Sequence, residues 1–139
     1  GATLAPHNAL CSVCPRNESK PLRYTIDSVR RPHEHPVEAD ACFLAEGVLC
    51  CGPATRAGCG ARCISVNTPC RGCFGPVGPV RDPGARAASA VAALLRGDTL
   101  PEIHATAGTI PDAAGLFYRF SAARGIPGRR PFHEDPDTP

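Results

Sequence analysis

At 139 residues with a net charge of +2, the chain is one domain or slightly less, and its charges are too evenly balanced for a dedicated nucleic-acid binder. Leu, Ile, Val and Phe make 27 residues against 30 for Gly and Pro, too few for an ordinary core, while the small net charge argues against outright disorder. With no apolar run long enough to span a membrane and no legible signal peptide, what remains is a loop-rich domain that needs staples other than buried hydrocarbon.

Residues 1–10, GATLAPHNAL, read as an entering linker. Cys11 and Cys14 then form a Cys-x2-Cys pair closed by Pro15, which stops a helix from running through it. Arg16, Lys20, Arg23, Arg30 and Arg31 surround an alternation of Leu22, Tyr24 and Ile26, which predicts one short strand or extended segment. His33 and His35 could ligate a metal, but Pro32 and Pro36 hold that loop open and no thiolate is adjacent in sequence, which favours a solvated loop. Asp40 is placed to cap a short helix over 41–46 that Gly47 ends. Cys42 would sit in its first residues, where the helix dipole favours a thiolate.

The stretch CCGPATRAGCGARCISVNTPCRGC, from Cys50 to Cys73, holds six of the nine cysteines and has neither helical nor strand periodicity. It is too poor in large apolar residues to fold by burying itself. Thiolates gathered on an inorganic centre would fix its shape, with its glycines taking positive φ and bringing amides close to sulfur. Beyond it, Asp82 and Pro83 start the clearest helix, predicted over 83–96 with Gly97 as its stop. Ala87, Val91, Leu94 and Leu95 give that helix a narrow core-facing stripe. Residues 98–110 read as irregular. A second helix is predicted over 112–123, with Leu116, Phe117 and Phe120 on it. The tail over 126–139 reads as extended or disordered, leaving a domain over 1–125. The predicted fold class is small and mostly irregular with a few short helices, organised by iron–sulfur clusters.

The odd cysteine count, the adjacent Cys50 and Cys51, and the two Cys-x2-Cys pairs argue against a disulfide framework and for a reducing compartment. Setting Cys51 aside, eight thiolates divide into two sets of four, each enough for one [4Fe–4S] cluster or one zinc ion. Structural zinc sites usually take two tight pairs per metal, and only two tight pairs exist for two sites, so the spacing favours clusters over zinc, with disulfides third. Arg16, Arg56, Arg62 and Arg71 lie within a few residues of the proposed ligands, where they could offset an anionic cluster and tune its potential.

CFLAEGVLCCGPATRAGCGARC followed by PCRGCFGP resembles the C-terminal half of the small subunit of [NiFe] hydrogenases, of the cytoplasmic branch linked to heterodisulfide reductase, coenzyme F420 or NAD. Cys11-Ser-Val-Cys14-Pro-Arg, Pro111-Asp112 and Phe117-Tyr118-Arg119-Phe120-Ser121 are similar to that family too, so the resemblance covers nearly the whole chain. It implies a distal [4Fe–4S] cluster on Cys11, Cys14, Cys42 and Cys50, and a medial one on Cys59, Cys63, Cys70 and Cys73. Cys51 has no counterpart as a ligand, and the N-terminal half of the small subunit, which carries the proximal cluster, is missing from this chain. The implied function is a relay of single electrons with no catalytic centre of its own. The implied partners are the hydrogenase large subunit, the proximal-cluster half and a downstream electron-acceptor subunit, in the cytoplasm, without nucleic acid or membrane. Two readings of other classes stay open: a zinc-stabilised interaction module, and a free-standing ferredoxin-like carrier. The chain contains no Met, which suggests a piece of a longer protein.

Overall fold

In the computed structural model of the protein, which describes residues 6–125, the backbone is mostly irregular. Among the described residues there are four helices: α1 (Arg62–Ser65), α2 (Pro83–Ala92), α3 (Leu100–Gly108) and α4 (Ala113–Phe117). Four single 3-10 turns accompany them, at Leu10–Val13, Pro15–Asn17, Gly52–Ala54 and Ala122–Arg124. Strand pairing among the described residues consists of isolated bridges, Ala9 with Arg56, Ile26 with Leu95, Arg30 with Val48 and Thr55 with Pro76. No helix among these residues is long and apolar enough to cross a membrane. The expected class, small and mostly irregular with a few short helices, describes this backbone.

α2 forms as its sequence dictates. The Asp82 carboxylate accepts a hydrogen bond from Ala85 N–H at 2.9 Å and Pro83 opens the helix. It stops at Ala92, four residues short of the predicted end, because the next turn is diverted. The Leu94 carbonyl accepts from Ile26 N–H at 2.7 Å, and Arg96 N–H donates to the Ile26 carbonyl at 2.9 Å. That pair of bonds is all that survives of the strand expected around Leu22, Tyr24 and Ile26. Ile26 is fully buried while Leu22 is fully exposed, so no face is shared along the segment.

The region 98–110, expected to be irregular, contains α3. Pro101 lies in its first turn, and Glu102 accepts hydrogen bonds from the N–H groups of Asp98 and Thr99 at 2.9 and 3.2 Å. Thr99 with Glu102 three residues on is the spacing of a capping box. The helix expected over 112–123 is instead α4 followed by a 3-10 turn, broken at Tyr118. The Tyr118 ring turns onto α2, where Gly84 makes room and the hydroxyl donates to Asp82 Oδ2 at 3.2 Å. Leu116 is buried as expected, but Phe120 is largely exposed. Residues 41–46 make one turn and not a helix. Gly47, at φ +76°, closes it, with Gly47 N–H donating to Leu44 O and Val48 N–H to Phe43 O. Without a helix there, the dipole argument for a Cys42 thiolate lapses. The predicted tail over 126–139 lies outside the described residues.

Leu10, Ile26, Phe43, Leu44 and Val48 form the centre of the core, with Cys50, Cys51 and Cys70 in the same cluster and Val91 and Leu116 brought in from α2 and α4. Each fully buried aliphatic side chain contributes about 1.5–3 kcal/mol. A core this small therefore leaves the loops dependent on other ties. A Cβ added at Gly84 would lie 2.5 Å from the Tyr118 ring. Gly84→Ala should accordingly destabilise the chain by about 1–3 kcal/mol in a chemical denaturation measurement, despite the better helix propensity of Ala.

Candidate metal centre

The first set of thiols is assembled from three separated segments. The turn Leu10–Val13 carries Cys11, and Cys14 caps it, its N–H donating to the Cys11 carbonyl at 3.3 Å. Leu10 N–H donates to the Thr55 carbonyl at 2.7 Å, which seats this turn on the cysteine-rich stretch. Cys42 comes from the turn that Gly47 closes, and Cys50 from the approach to the Gly52–Ala54 turn. Cys11, Cys14, Cys42 and Cys50 line one cavity enclosing about 330 Å³ of atom-free space, part of it open to solvent. Gly52 belongs to the same wall, and a Cβ there would come within 3.2 Å of Cys11 Sγ and 3.5 Å of Cys50 Sγ. The two sulfurs thus occupy the space that any larger residue would need.

The fifth polar component of the wall is Arg16. It is 2% exposed. Nη1 donates to the carbonyls of Glu38 and Ala41 at 2.8 and 2.7 Å, Nη2 donates to Asn67 Oδ1 at 2.6 Å, and the guanidinium lies 4.1 Å above the Phe43 ring. Its Nε is buried and has no hydrogen-bond partner. Among the described residues no carboxylate pairs with it. A buried guanidinium without an anion is costly. Thiolates in the cavity would supply that anion.

Burial pushes the Cys11 thiol up to about 11, with the neighbouring Cys14, Cys42 and Cys70 thiols adding to the rise and Lys20 opposing it. Cys50 is pushed up to about 12, again by burial, although amides of Gly52 and Cys70 donate toward its sulfur. Tyr24, raised to about 12 by burial and by the Cys42, Cys11 and Cys50 thiols, marks the edge of the same sulfur-rich region. Without a cation these buried thiols stay protonated at neutral pH. A metal would release their protons on binding, and four soft thiolate donors spread around one cavity are of the type that iron–sulfur clusters take.

The second set is more open. Gly60 at φ +69° and Ala61 at φ +52° turn the chain into α1, which carries Cys63 on the surface. Gly72, at φ +87°, lets its N–H donate to the Cys70 sulfur at 3.4 Å. Burial raises the Cys70 thiol, the Gly72 amide and Thr55 hydroxyl hold it down, and Cys73 and Cys59 act on it as nearby thiols. The structure thus brings Cys59, Cys70 and Cys73 into one neighbourhood. Cys63 is exposed on α1 and is not among the groups that bear on Cys70. The two sets adjoin, since Cys51 N–H donates to the Cys70 carbonyl at 2.9 Å and the Cys70 thiol acts on both Cys11 and Cys50. Cys51 is buried, and burial pushes its thiol up to about 11. All nine cysteines are free thiols. Among the described residues, no group of three or more His, Cys, Asp or Glu closes on a single ion. His33 and His35 lie against Glu34 and Glu46, at 3.6 and 3.7 Å.

Two residues of this region are silent in the sequence pattern. Thr55 is buried, its hydroxyl donating to the Cys51 carbonyl at 2.6 Å and lying 3.6 Å from Cys70 Sγ. Asn67, at φ +55°, accepts from Arg16 and donates to the Val37 carbonyl at 3.0 Å. Asn tolerates that backbone region better than most residues, which is the one signal available for it. Thr55→Val should cost about 0.5–1.5 kcal/mol in a chemical denaturation measurement, because the Cys51 carbonyl loses the hydroxyl and keeps only the Ala54 N–H, at 3.1 Å.

In the metal-free chain, exposed Cys63 and Cys73 should be alkylated first and buried Cys50, Cys51 and Cys70 last, as read by mass spectrometry of a time course. Because the Cys11 thiol is raised to about 11, its alkylation rate should keep climbing about tenfold per pH unit up to that pH, as its thiolate fraction grows.

No protein-family model matches the chain. It is similar to curated proteins, however. Over 119 residues it is 40% identical to the G subunit of the F420-non-reducing hydrogenase of Methanothermobacter thermautotrophicus, covering 84% of this chain and 38% of that protein. Over 104 residues it is 38% identical to the iron-sulfur G subunit of the F420-non-reducing hydrogenase of Archaeoglobus profundus, covering 73% of this chain and 32% of that protein. Over 107 residues it is 37% identical to the corresponding G subunit of Methanothermus fervidus, covering 75% of this chain and 84% of that protein. The chain spans less than two fifths of the length of the first two relatives and most of the third. With thiol-rich segments meeting at one cavity and this level of identity across most of its length, the chain belongs to the family of F420-non-reducing hydrogenase G subunits.

Proposed function

We propose that this chain is an electron-relay segment of a hydrogenase complex, corresponding to the C-terminal half of a [NiFe]-hydrogenase small subunit. Cys11, Cys14, Cys42 and Cys50 hold a distal [4Fe–4S] cluster, and Cys59, Cys63, Cys70 and Cys73 hold a medial one. The domain is taken as residues 1–125. It works in the cytoplasm between the catalytic large subunit, reached through a proximal-cluster half of the small subunit, and an acceptor subunit. The observation that carries this reading is the cavity lined by four cysteines from three segments together with a buried, acid-free arginine. The name of the Archaeoglobus relative, an iron-sulfur subunit of a hydrogenase, supports it.

Bound clusters supply one-electron redox chemistry. The chain's own residues do the rest. Cys11 and Cys14 clamp from one turn while Gly52 leaves their neighbour Cys50 room to turn its sulfur inward. Leu10, Phe43, Leu44 and Ile64 wall part of the first cavity with hydrocarbon and limit its contact with water. Amides of Gly52, Cys70 and Gly72 donate toward sulfur, which favours thiolate over thiol and stabilises added electron density there. The Cys51 to Cys70 hydrogen bond holds the two sets side by side, as a relay requires.

Anaerobic iron and sulfide analysis tests the reading, with electron paramagnetic resonance after dithionite reduction. Two clusters predict about eight iron and eight sulfide per chain and signals of two interacting reduced centres. Two zinc and no sulfide would overturn it. Cys50→Ser should remove about four iron per chain and leave one centre's spectrum, as one ligand set is broken.

A further inference from the structure

Among the described residues, two buried side-chain nitrogens have no hydrogen-bond partner, and they are the same atom in two arginines: Nε of Arg16 and Nε of Arg56. Their surroundings repeat. Arg16 lies 4.1 Å above Phe43, the residue after Cys42, and Arg56 lies 5.1 Å above Phe74, the residue after Cys73. Cys42 belongs to the first set of thiols and Cys73 to the second. Among the described residues neither guanidinium has a carboxylate in ion-pair range. Arg16 is anchored by the Glu38 and Ala41 carbonyls and Asn67. Arg56 is held through its backbone, N–H to the Gly75 carbonyl at 2.9 Å, in the turn that immediately follows Cys73.

An aromatic ring under a guanidinium recovers only part of what burial costs, and an Nε–H left unpaired recovers nothing. Arg16 is buried and lines the cavity of the first set, and Arg56 is half-buried with its Nε covered, over the ring that follows Cys73 of the second. Arg62, by contrast, is exposed on α1. Of the described arginines near the ligands, only these two combine a buried unpaired donor with a ring from a Cys-Phe dipeptide.

We propose that Arg16 and Arg56 are separate countercharges, one for each cluster site, each held on the ring that follows a ligand cysteine, so that the two reduction potentials are set independently. This rests on the two-cluster reading above. A nearby positive charge favours the more negative, reduced state of its own centre and makes that centre easier to reduce. Both arginines act as positioning and tuning residues and neither reacts.

The test uses the full chain purified anaerobically as wild type, R16Q, R16K, R56Q and R56K, with iron and sulfide content measured first and each centre then titrated by electron paramagnetic resonance. R16Q should shift the reduction equilibrium of one centre at least tenfold toward the oxidised form, about 59 mV for a one-electron couple, and leave the other within about threefold. R56Q should do the same to the other centre. The lysine variants, which keep the charge though not the fork geometry, should lie closer to wild type than the glutamine variants. Two loaded clusters in wild type with no shift in either glutamine variant, or with equal shifts at both centres, would overturn the countercharge proposal and leave the relay intact. A wild-type chain without iron and sulfide would overturn both. Should R16Q fail to load, full loading of R16K supports a need for the charge, and failure of R16K as well overturns the charge role of Arg16.

Discussion

A single buried threonine ties the irregular segments together. Thr55 accepts the Leu10 amide through its carbonyl, donates its own N–H to Gly52, bridges to Pro76, and spends its hydroxyl on the Cys51 carbonyl beside the Cys70 sulfur. In a sheet, such bonds repeat along a ladder and the loss of one is shared. Here each pairing is isolated, so each one sets the position of a whole loop. The Cys11 turn, the Cys50 turn and the approach to Cys70 all refer their positions to this one residue. Side chains of moderate size then suffice for a core, because their task is to cover the ties and not to create the shape.

The same economy applies to charge. A guanidinium that burial leaves without an anion is unfavourable alone, and the chain places it on one wall with thiols that burial keeps protonated. A group that converts those thiols to thiolates would give it an anion. This explains why hydrocarbon accounts for so little of the sequence. On the proposed reading, a centre bound at the cysteines would supply folding free energy that so small a core does not, and the polypeptide would supply geometry for it.

How much of this could be read in advance follows from the range of each interaction. Asp82 with Pro83 announces α2, and Gly47 announces a chain reversal, since both are local signals within one turn of backbone. The grouping of Cys11, Cys14, Cys42 and Cys50 was legible only with the help of a family resemblance, because nothing local links Cys14 to Cys42. The misses share a cause. The capping pair Thr99 and Glu102 was available in the sequence, but a short, weakly amphipathic helix raised no periodic signal. α2 ends early and α4 breaks at Tyr118 for tertiary reasons, Ile26 taking the backbone of one and Gly84 receiving the ring of the other. Arg16 looked like one of several loop arginines. Its burial depends on Asn67, fifty-one residues away, and no pattern in either neighbourhood reveals that distance.

The two thiol sets also differ in how the outside world reaches them. Cys63 and Cys73 stand at the surface, whereas no member of the first set is fully exposed. A surface thiol meets dissolved oxidants, iron donors and chelators at the rate of collision, while a covered one waits for the chain to open. Cys63 and Cys73 therefore meet such reagents first in the folded chain, and buried Cys50 and Cys70 meet them last, so each set is divided between a thiol that answers to the solution sooner and one that answers to it later.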